Sequence, residues 1–339
     1  MYSLVFNLKR ELNLLLIAIL ALLPELTLAQ GCCCGGAGGM GTSIARFGMD
    51  TPNPKSLQLL LAYDLNNMNS LYDDAIRIED NDNQRVIHSA IFVANYGISR
   101  KLSVGAIMSY MGQELGSKSI DGRRQVDYLF GFGDLILMAK FRLTNPLAYN
   151  GWGIYAGIGP KLPTGSSSKI SSEGSIYPTD IQTGTGSLDA VTWLSINKSH
   201  IFITNLYLNT GATFRLSGQN RHYRDSLIYR PGNEFQYTAG LSYNFYKGLI
   251  FDIFNYVQYR YQSIDKLSGE PVDKTGGHWV FTSPGIRIYF TQNLSFVVTT
   301  DIPLYHYLNG PQLSSSFRFS AALTYTFTSK KAIELEPGL

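Results

Sequence analysis

The most constraining feature of this chain is a two-residue period. In Glu234-Phe-Gln-Tyr-Thr-Ala-Gly-Leu-Ser-Tyr-Asn-Phe245, one face carries Phe235, Tyr237, Ala239, Leu241, Tyr243 and Phe245. The other carries Glu234, Gln236, Thr238, Gly240, Ser242 and Asn244. Successive strand residues point to opposite faces, so this is a strand with one apolar and one polar side. Aromatic ends on the apolar side suit a strand that crosses a membrane, lipid on one face and a polar lumen on the other. The pattern recurs from residue 57 to 327, beginning with Leu57, Leu59, Leu61, Tyr63 and Leu65 and ending with Phe317, Phe319, Leu323, Tyr325 and Phe327. Two stretches are less clean. In 85–96, Ile87, Ile91 and Val93 compete with Phe92, Ala94 and Tyr96 for the apolar face, and in 201–213 the phase slips near Asn205.

Twelve strands result, with connectors that alternate in length. Those after even-numbered strands are short, such as Tyr246–Gly248 and Thr291–Asn293. Those after odd-numbered strands are long and polar: 66–84, 112–127, 164–185, 215–233, 262–276 and 305–312. The predicted fold is therefore all-β: a transmembrane, antiparallel, up-and-down barrel of about twelve strands, with short periplasmic turns and long extracellular loops. A soluble sandwich accounts for the alternation but not for aromatics at both strand ends.

Composition agrees. Charged residues are only 16% of the chain, aromatics reach 13% with 22 Tyr and 18 Phe, and there are 33 Gly. Mean hydropathy is nonetheless −0.03, as expected when each strand has one face of each kind. The balance of 28 Lys and Arg against 25 Asp and Glu gives +3, which offers no basic field and excludes nucleic acid as a partner.

Residues 1–29 read as a secretory signal peptide. Lys9 and Arg10 precede the apolar run Leu12–Leu23, Pro24 breaks it, and Thr27-Leu28-Ala29 supplies a cleavage site. Residues 30–56 form a Cys/Gly-rich segment, short enough for no more than a small plug. The barrel occupies 57–328, and 329–339 is a tail. Cys32, Cys33 and Cys34 are consecutive, so they cannot all pair within one chain. Three converging thiolates are a weak soft-metal candidate, against the simpler reading of a plain terminus. No cofactor is expected.

The apolar phase faces outward, so the strand charges face inward: Asp64, Asp134, Lys140, Arg142, Lys161, Asp189, Asp252, Arg260, Arg287, Asp301 and Arg318. An Arg or Lys facing lipid at the midplane costs roughly 2–4 kcal/mol. These residues are candidates to line a lumen, either as an ion-paired network or as the walls of a conduit.

Two short motifs add a resemblance. Gly131-Phe-Gly133-Asp134, followed by Leu135-Ile-Leu-Met-Ala-Lys140-Phe141, and Lys161-Leu-Pro163-Thr-Gly165 resemble consecutive strands of a family of bacterial outer-membrane proteins. That family is of the "MetA-pathway of phenol degradation" type, grouped with fatty-acid-transporter-like barrels. The resemblance implies a barrel with a transport role and carries no catalytic residues. The residues themselves read as a strand end, since Pro163 cannot donate to a ladder.

The function expected is a channel or transporter for small solutes, hydrophobic ones included, in the outer membrane of a Gram-negative bacterium. Its other partners would be outer-membrane lipid and the barrel assembly machinery, which reads a final strand ending in an aromatic such as Phe327. The alternative is a closed structural or adhesive barrel whose long loops bind partners. A barrel lipid hydrolase is disfavoured. Among His88, His200, His222, His278 and His306, none forms a His-x-Ser pair on one strand face.

Overall fold

The computed structural model describes residues 51–79, 83–118, 124–144, 151–172, 174–224 and 226–328. The expected signal peptide over 1–29, the expected Cys/Gly-rich segment up to residue 50 with its three cysteines, and the expected 329–339 tail lie outside them. In chain order the strands are β1 (Ser56–Asp74), β2 (Ile76–Ile78), β3 (Gln84–Gly97), β4 (Leu102–Lys118), β5 (Arg124–Phe132) and β6 (Leu135–Arg142). Next come β7 (Trp152–Leu162), β8 (Asp189–Lys198), β9 (Leu206–Leu216), β10 (Asn220–Tyr223), β11 (Leu227–Arg230) and β12 (Glu234–Lys247). The last are β13 (Leu249–Gln262), β14 (Lys266–Leu267), β15 (Glu270–Pro271), β16 (Gly277–Tyr289) and β17 (Leu294–Thr328).

Every barrel strand pairs antiparallel with its neighbours, and the sheet closes because β17 pairs with both β16 and β1. The ring order is β17-β16-β13-β12-β9-β8-β7-β6-β4-β3-β1, which is eleven elements. β17 counts twice. Its first part, Ser295 to Leu308, pairs with β16, and its last part, Leu308 to Thr328, pairs with β1. The reversal falls at Asn309-Gly310, where Gly310 has φ +81°, a left-handed value that a side chain resists. Among the described residues the barrel thus has twelve staves. β5 continues the β6 stave along β4, and β2 extends the β3 stave along β1.

The outward phase is apolar. Leu59, Leu61, Phe92, Leu137, Ile158, Leu194, Leu241, Ile253, Ile302 and Leu323 are all exposed, as lipid-facing positions must be. Tyr128, Tyr305 and Tyr307 sit toward the long-loop end of this band; Trp152, Tyr246 and Phe327 mark the short-turn end. The ambiguous stretch 85–96 settles with Phe92 and Tyr96 outside and Ile87, Ile91 and Val93 buried inside. Both of its faces are apolar because the bore itself is apolar at that height.

Three sequence expectations are corrected. The strands run further toward the long-loop end than their apolar faces do, so 66–74, 112–118 and 124–127 are strand and not loop. Residues 305–312 are a continuing hairpin with a tight turn. Residues 201–205 are a turn preceding β9, with Ile201 N donating to Leu206 O, so the apparent phase slip is a strand that starts later. The loops 217–233 and 263–276 carry β10, β11, β14 and β15, which pair into a small four-stranded sheet over the long-loop end.

Candidate functional site: a braced loop above an apolar bore

Gly133 and Asp134 interrupt the β5–β6 stave. Gly133 N donates to Ser109 O at 2.8 Å, and the interruption lets Asp134 project inward from the wall. Its carboxylate is fully buried and saturated. Lys161 Nζ approaches Oδ2 at 2.6 Å, Thr185 donates to Oδ2 through N at 3.0 Å and through Oγ1 at 2.9 Å, and Gly165 N donates to Oδ1 at 3.0 Å. The two short motifs therefore form one structural unit. Gly165 passes so close to Gly184 and Phe132 O that a side chain would not fit, and Gly131 lies against Thr183.

What this unit holds is the segment 163–188. It folds into the barrel instead of standing off it: Gln182, Thr183 and Ser187 are completely buried. Across the bore, Arg85 of β3 donates to Asp180 O at 2.6 Å and pairs with its carboxylate at 3.1 Å. Gln113 of β4 donates to Ile181 O at 2.7 Å and accepts from Arg85 Nε at 2.9 Å. At the rim, Asp127 accepts from Tyr177 OH and from Ser172 Oγ, each at 2.8 Å. The Tyr177 bond holds the Asp127 carboxyl below its ordinary range, while burial pushes the Tyr177 phenol up to about 12.

A chain of charges continues along the wall from Asp134. Lys161 also meets Asp189 at 2.9 Å, Arg215 lies 4.0 Å from Asp189 and 3.0 Å from Glu234, and Arg260 lies 2.8 Å from Glu234. Arg260 ends the chain over the Trp279 ring. Signs alternate throughout, three acids against three bases, so the run carries no net charge. A second cluster sits on the opposite wall. Arg318 lies between Asp64 at 3.6 Å and Asp301 at 3.9 Å, with Ser320 and Ser283 donating to the two carboxylates. Toward the short-turn end, Lys140 donates to Asn95 at 2.6 Å, Asp252 sits opposite Arg287, and Arg142 holds Thr51 O at 2.9 Å.

Of the eleven inward candidates, the structure thus gathers Asp134, Lys161, Asp189 and Arg260 in one network and Asp64, Asp301 and Arg318 in another. Lys140, Arg142, Asp252 and Arg287 stand apart from both. Sequence reasoning missed Arg85, Asp180, Thr185 and Arg215, and it placed Glu234 on the polar face of its strand without counting it among the inward charges. Arg215 and Glu234 were legible in principle, since they keep the inward phase of Thr213 and Gln236. His88 and Ser89 point to opposite faces, His88 outward against Tyr63 OH and Ser89 buried.

Between Lys140, Arg142, Asp252 and Arg287 at the short-turn end and the two charge clusters, the interior is apolar. Leu60, Ile91, Val93, Ile107, Ile136, Met138, Val191, Trp193, Phe254, Tyr256 and Val297 belong to one cluster, each between 1% and 4% exposed. Side chains lining an open bore would be wetted; these pack against one another across it and leave the β9 and β12 wall uncovered. Large residues rest on glycines of adjacent staves, Trp193 on Gly157, Phe254 on Gly285 and Tyr256 on Gly240. At the long-loop end, a cavity of about 690 Å³ opens between the infolded segment and the small sheet. Tyr177, Ile181, Tyr223, Tyr229, Trp279, Leu313 and the Arg85–Asp180 pair line it.

A closed antiparallel ring with lipid-type residues outside and ion pairs inside has one common setting. The fold is that of an outer-membrane β-barrel. A crystal structure of an outer membrane channel from Pseudomonas putida F1 superposes with a TM-score of 0.65 at 13% identity, over 82% of this chain and 98% of that one. The β domain of the Bordetella autotransporter BrkA gives 0.47 at 8% identity, over 80% and 99%. A deletion mutant of the monoaromatic hydrocarbon channel TodX gives 0.39 at 10%, over 88% and 97%. Only the first bears on the fold. No protein-family model and no curated protein sequence matches this chain.

Proposed function

We propose that this outer-membrane barrel is a gated channel for small solutes, with segment 163–188 as its constriction. The carrying observation is that segment's place inside the barrel, held by Asp134, Arg85 and Gln113 beneath an aromatic-lined cavity. A volume of about 690 Å³ falls in the range of small-molecule sites, and its tyrosine, tryptophan and leucine walls suit a solute with a ring or aliphatic part. The long-loop end faces outward from the cell, and the interior charges line the route. The aromatic-ended last strand is what the assembly machinery reads. The fold similarity to an outer membrane channel supports this reading.

Planar-bilayer recording of the full-length protein tests it. Low conductance is expected from the native protein and a marked rise from Arg85→Ala, which frees one side of the segment. Silence from both would exclude a channel. The packed apolar layer and paired charges favour a second reading, a closed structural barrel that displays its outer sheet to partners. That reading predicts silence in every variant.

A further inference from the structure

The apolar layer is not a complete ring. No buried member comes from β7, β9, β12 or β16, and of these only β9 and β12 adjoin; β7 and β16 stand singly, with Trp193 over Gly157 and Phe254 over Gly285. At the adjoining β9 and β12 the inward positions are Tyr207, Asn209, Gly211 and Thr213 on β9 and Gln236, Thr238, Gly240 and Ser242 on β12, uncharged residues that carry on the phase of Arg215 and Glu234. At the inner end Ser242 bonds the Asp252 carboxylate, which sits opposite Arg287. Thr213, Asn209 and Thr238 are partly accessible at the same height as the buried apolar side chains. The large residues on either side behave unequally. Trp193 leans away from the strip onto Gly157, and Phe254 leans away onto Gly285. Tyr256 alone leans into it, its ring over Gly240 and its OH 3.4 Å from Asn209 Nδ2. Asn209 also reaches Ser242 Oγ at 3.3 Å. At the outer end of the strip stands the alternating charge chain, whose members neutralise one another.

We propose that solute crosses the inner half of the barrel along this β9–β12 strip. Its amide and hydroxyl lining passes small neutral, hydrogen-bonding solutes in preference to ions, and Tyr256 is the side chain that narrows it. The proposal rests on the channel reading and names its path and solute class. Between the Asp252–Arg287 pair at its inner end and the charge chain at its outer end, the strip is uncharged. It offers exchange of hydrogen bonds to an uncharged solute and little counter-charge to an ion leaving water, so ions meet the larger barrier.

The test is swelling of liposomes holding the full-length protein, with arabinose as neutral probe and gluconate and glucosamine as charged probes of similar size. Correct folding of each variant is checked by heat-modifiable gel migration. Arabinose is expected to enter faster than either charged probe. Thr238→Trp and Gly211→Leu, which fill the strip, should bring entry near background, and Tyr256→Ala should raise it severalfold. Phe254→Ala serves as the contrast, because it opens the apolar layer facing β16. Equal entry of charged and neutral probes overturns the solute class. Arabinose entry that survives the filling variants, or that Phe254→Ala raises as much as Tyr256→Ala, overturns the path and leaves the channel intact. If a filling variant fails to fold, the Tyr256→Ala and Phe254→Ala pair decides the path. Absence of entry in every folded variant, Tyr256→Ala and Arg85→Ala included, removes the channel reading and the strip with it.

Discussion

The two halves of the bore are built on different principles. Toward the long-loop end, position is set by directed pairs: Asp134 takes partners from Lys161, Thr185 and Gly165. Toward the short-turn end it is set by volume, with Trp193, Phe254 and Tyr256 seated on glycines of adjacent staves. Directed pairs hold a backbone segment in one register and release it abruptly when a partner is lost. Packed volume gives way gradually. A constriction that must be specific and removable belongs in the first kind of region, and a fixed wall in the second.

The largest effect should come from Lys161→Ala. It leaves the buried Asp134 and Asp189 carboxylates without their shared cation, a loss of about 3–5 kcal/mol for a buried pair broken on one side. The midpoint of urea unfolding measures it, and a change no larger than that of a surface variant would show that the network does not hold the wall. Next, Leu60→Ala in the apolar layer should cost about 2–5 kcal/mol, with the spread set by how far the bore collapses. Ile107→Val should cost only about 0.5–1.5 kcal/mol in the same assay. A graded series here against an abrupt loss at Lys161 is what the contrast requires; the reverse order would undo it.

Smaller still is the effect of Arg85→Gln, which removes the ion pair to Asp180 while keeping a side chain that can donate to Asp180 O. Limited proteolysis should cut within 163–188 faster than in the native protein, with unfolding almost unchanged. The smallest effect is one of pH. Asp127 has its carboxyl pKa depressed in the fold, so the tie it makes to Tyr177 and Ser172 is fully present above the ordinary carboxylate range. It is lost as pH falls through the depressed value. Cutting of the segment by an acid-active protease should therefore accelerate at the acid end of that window in the native protein. In Asp127→Asn it should not.

The staves were legible wherever one face was apolar and the other polar, as in 234–245. They became illegible in two circumstances with distinct physical causes. Where the bore is apolar, both faces of a strand attract the same residue types, and Ile91 and Phe92 look equivalent until burial separates them. Where strands rise beyond the lipid band, no apolar face is needed, and Asn66 to Asp74 or Gln113 to Gly116 read as loop. The infolding of 163–188 left little trace, because Thr183, Thr185 and Ser187 are as polar as exposed loop residues. The one signal was a pair of glycine motifs whose partner lay some twenty residues away in the chain. Asp134 and Lys161 were legible as inward charges but not as partners, since pairing depends on which staves adjoin.

The double stave β17 has a consequence for the order of assembly. Asp64 belongs to the first strand, yet Ser320 and Arg318, which satisfy it, come from the last, 256 positions away in the case of Ser320. Until the C-terminal strand meets β1, this carboxylate faces the interior without its cation. Closing the cylinder and neutralising Asp64 are then a single event, and a barrel that stalls one stave short carries an unspent charge at its open seam.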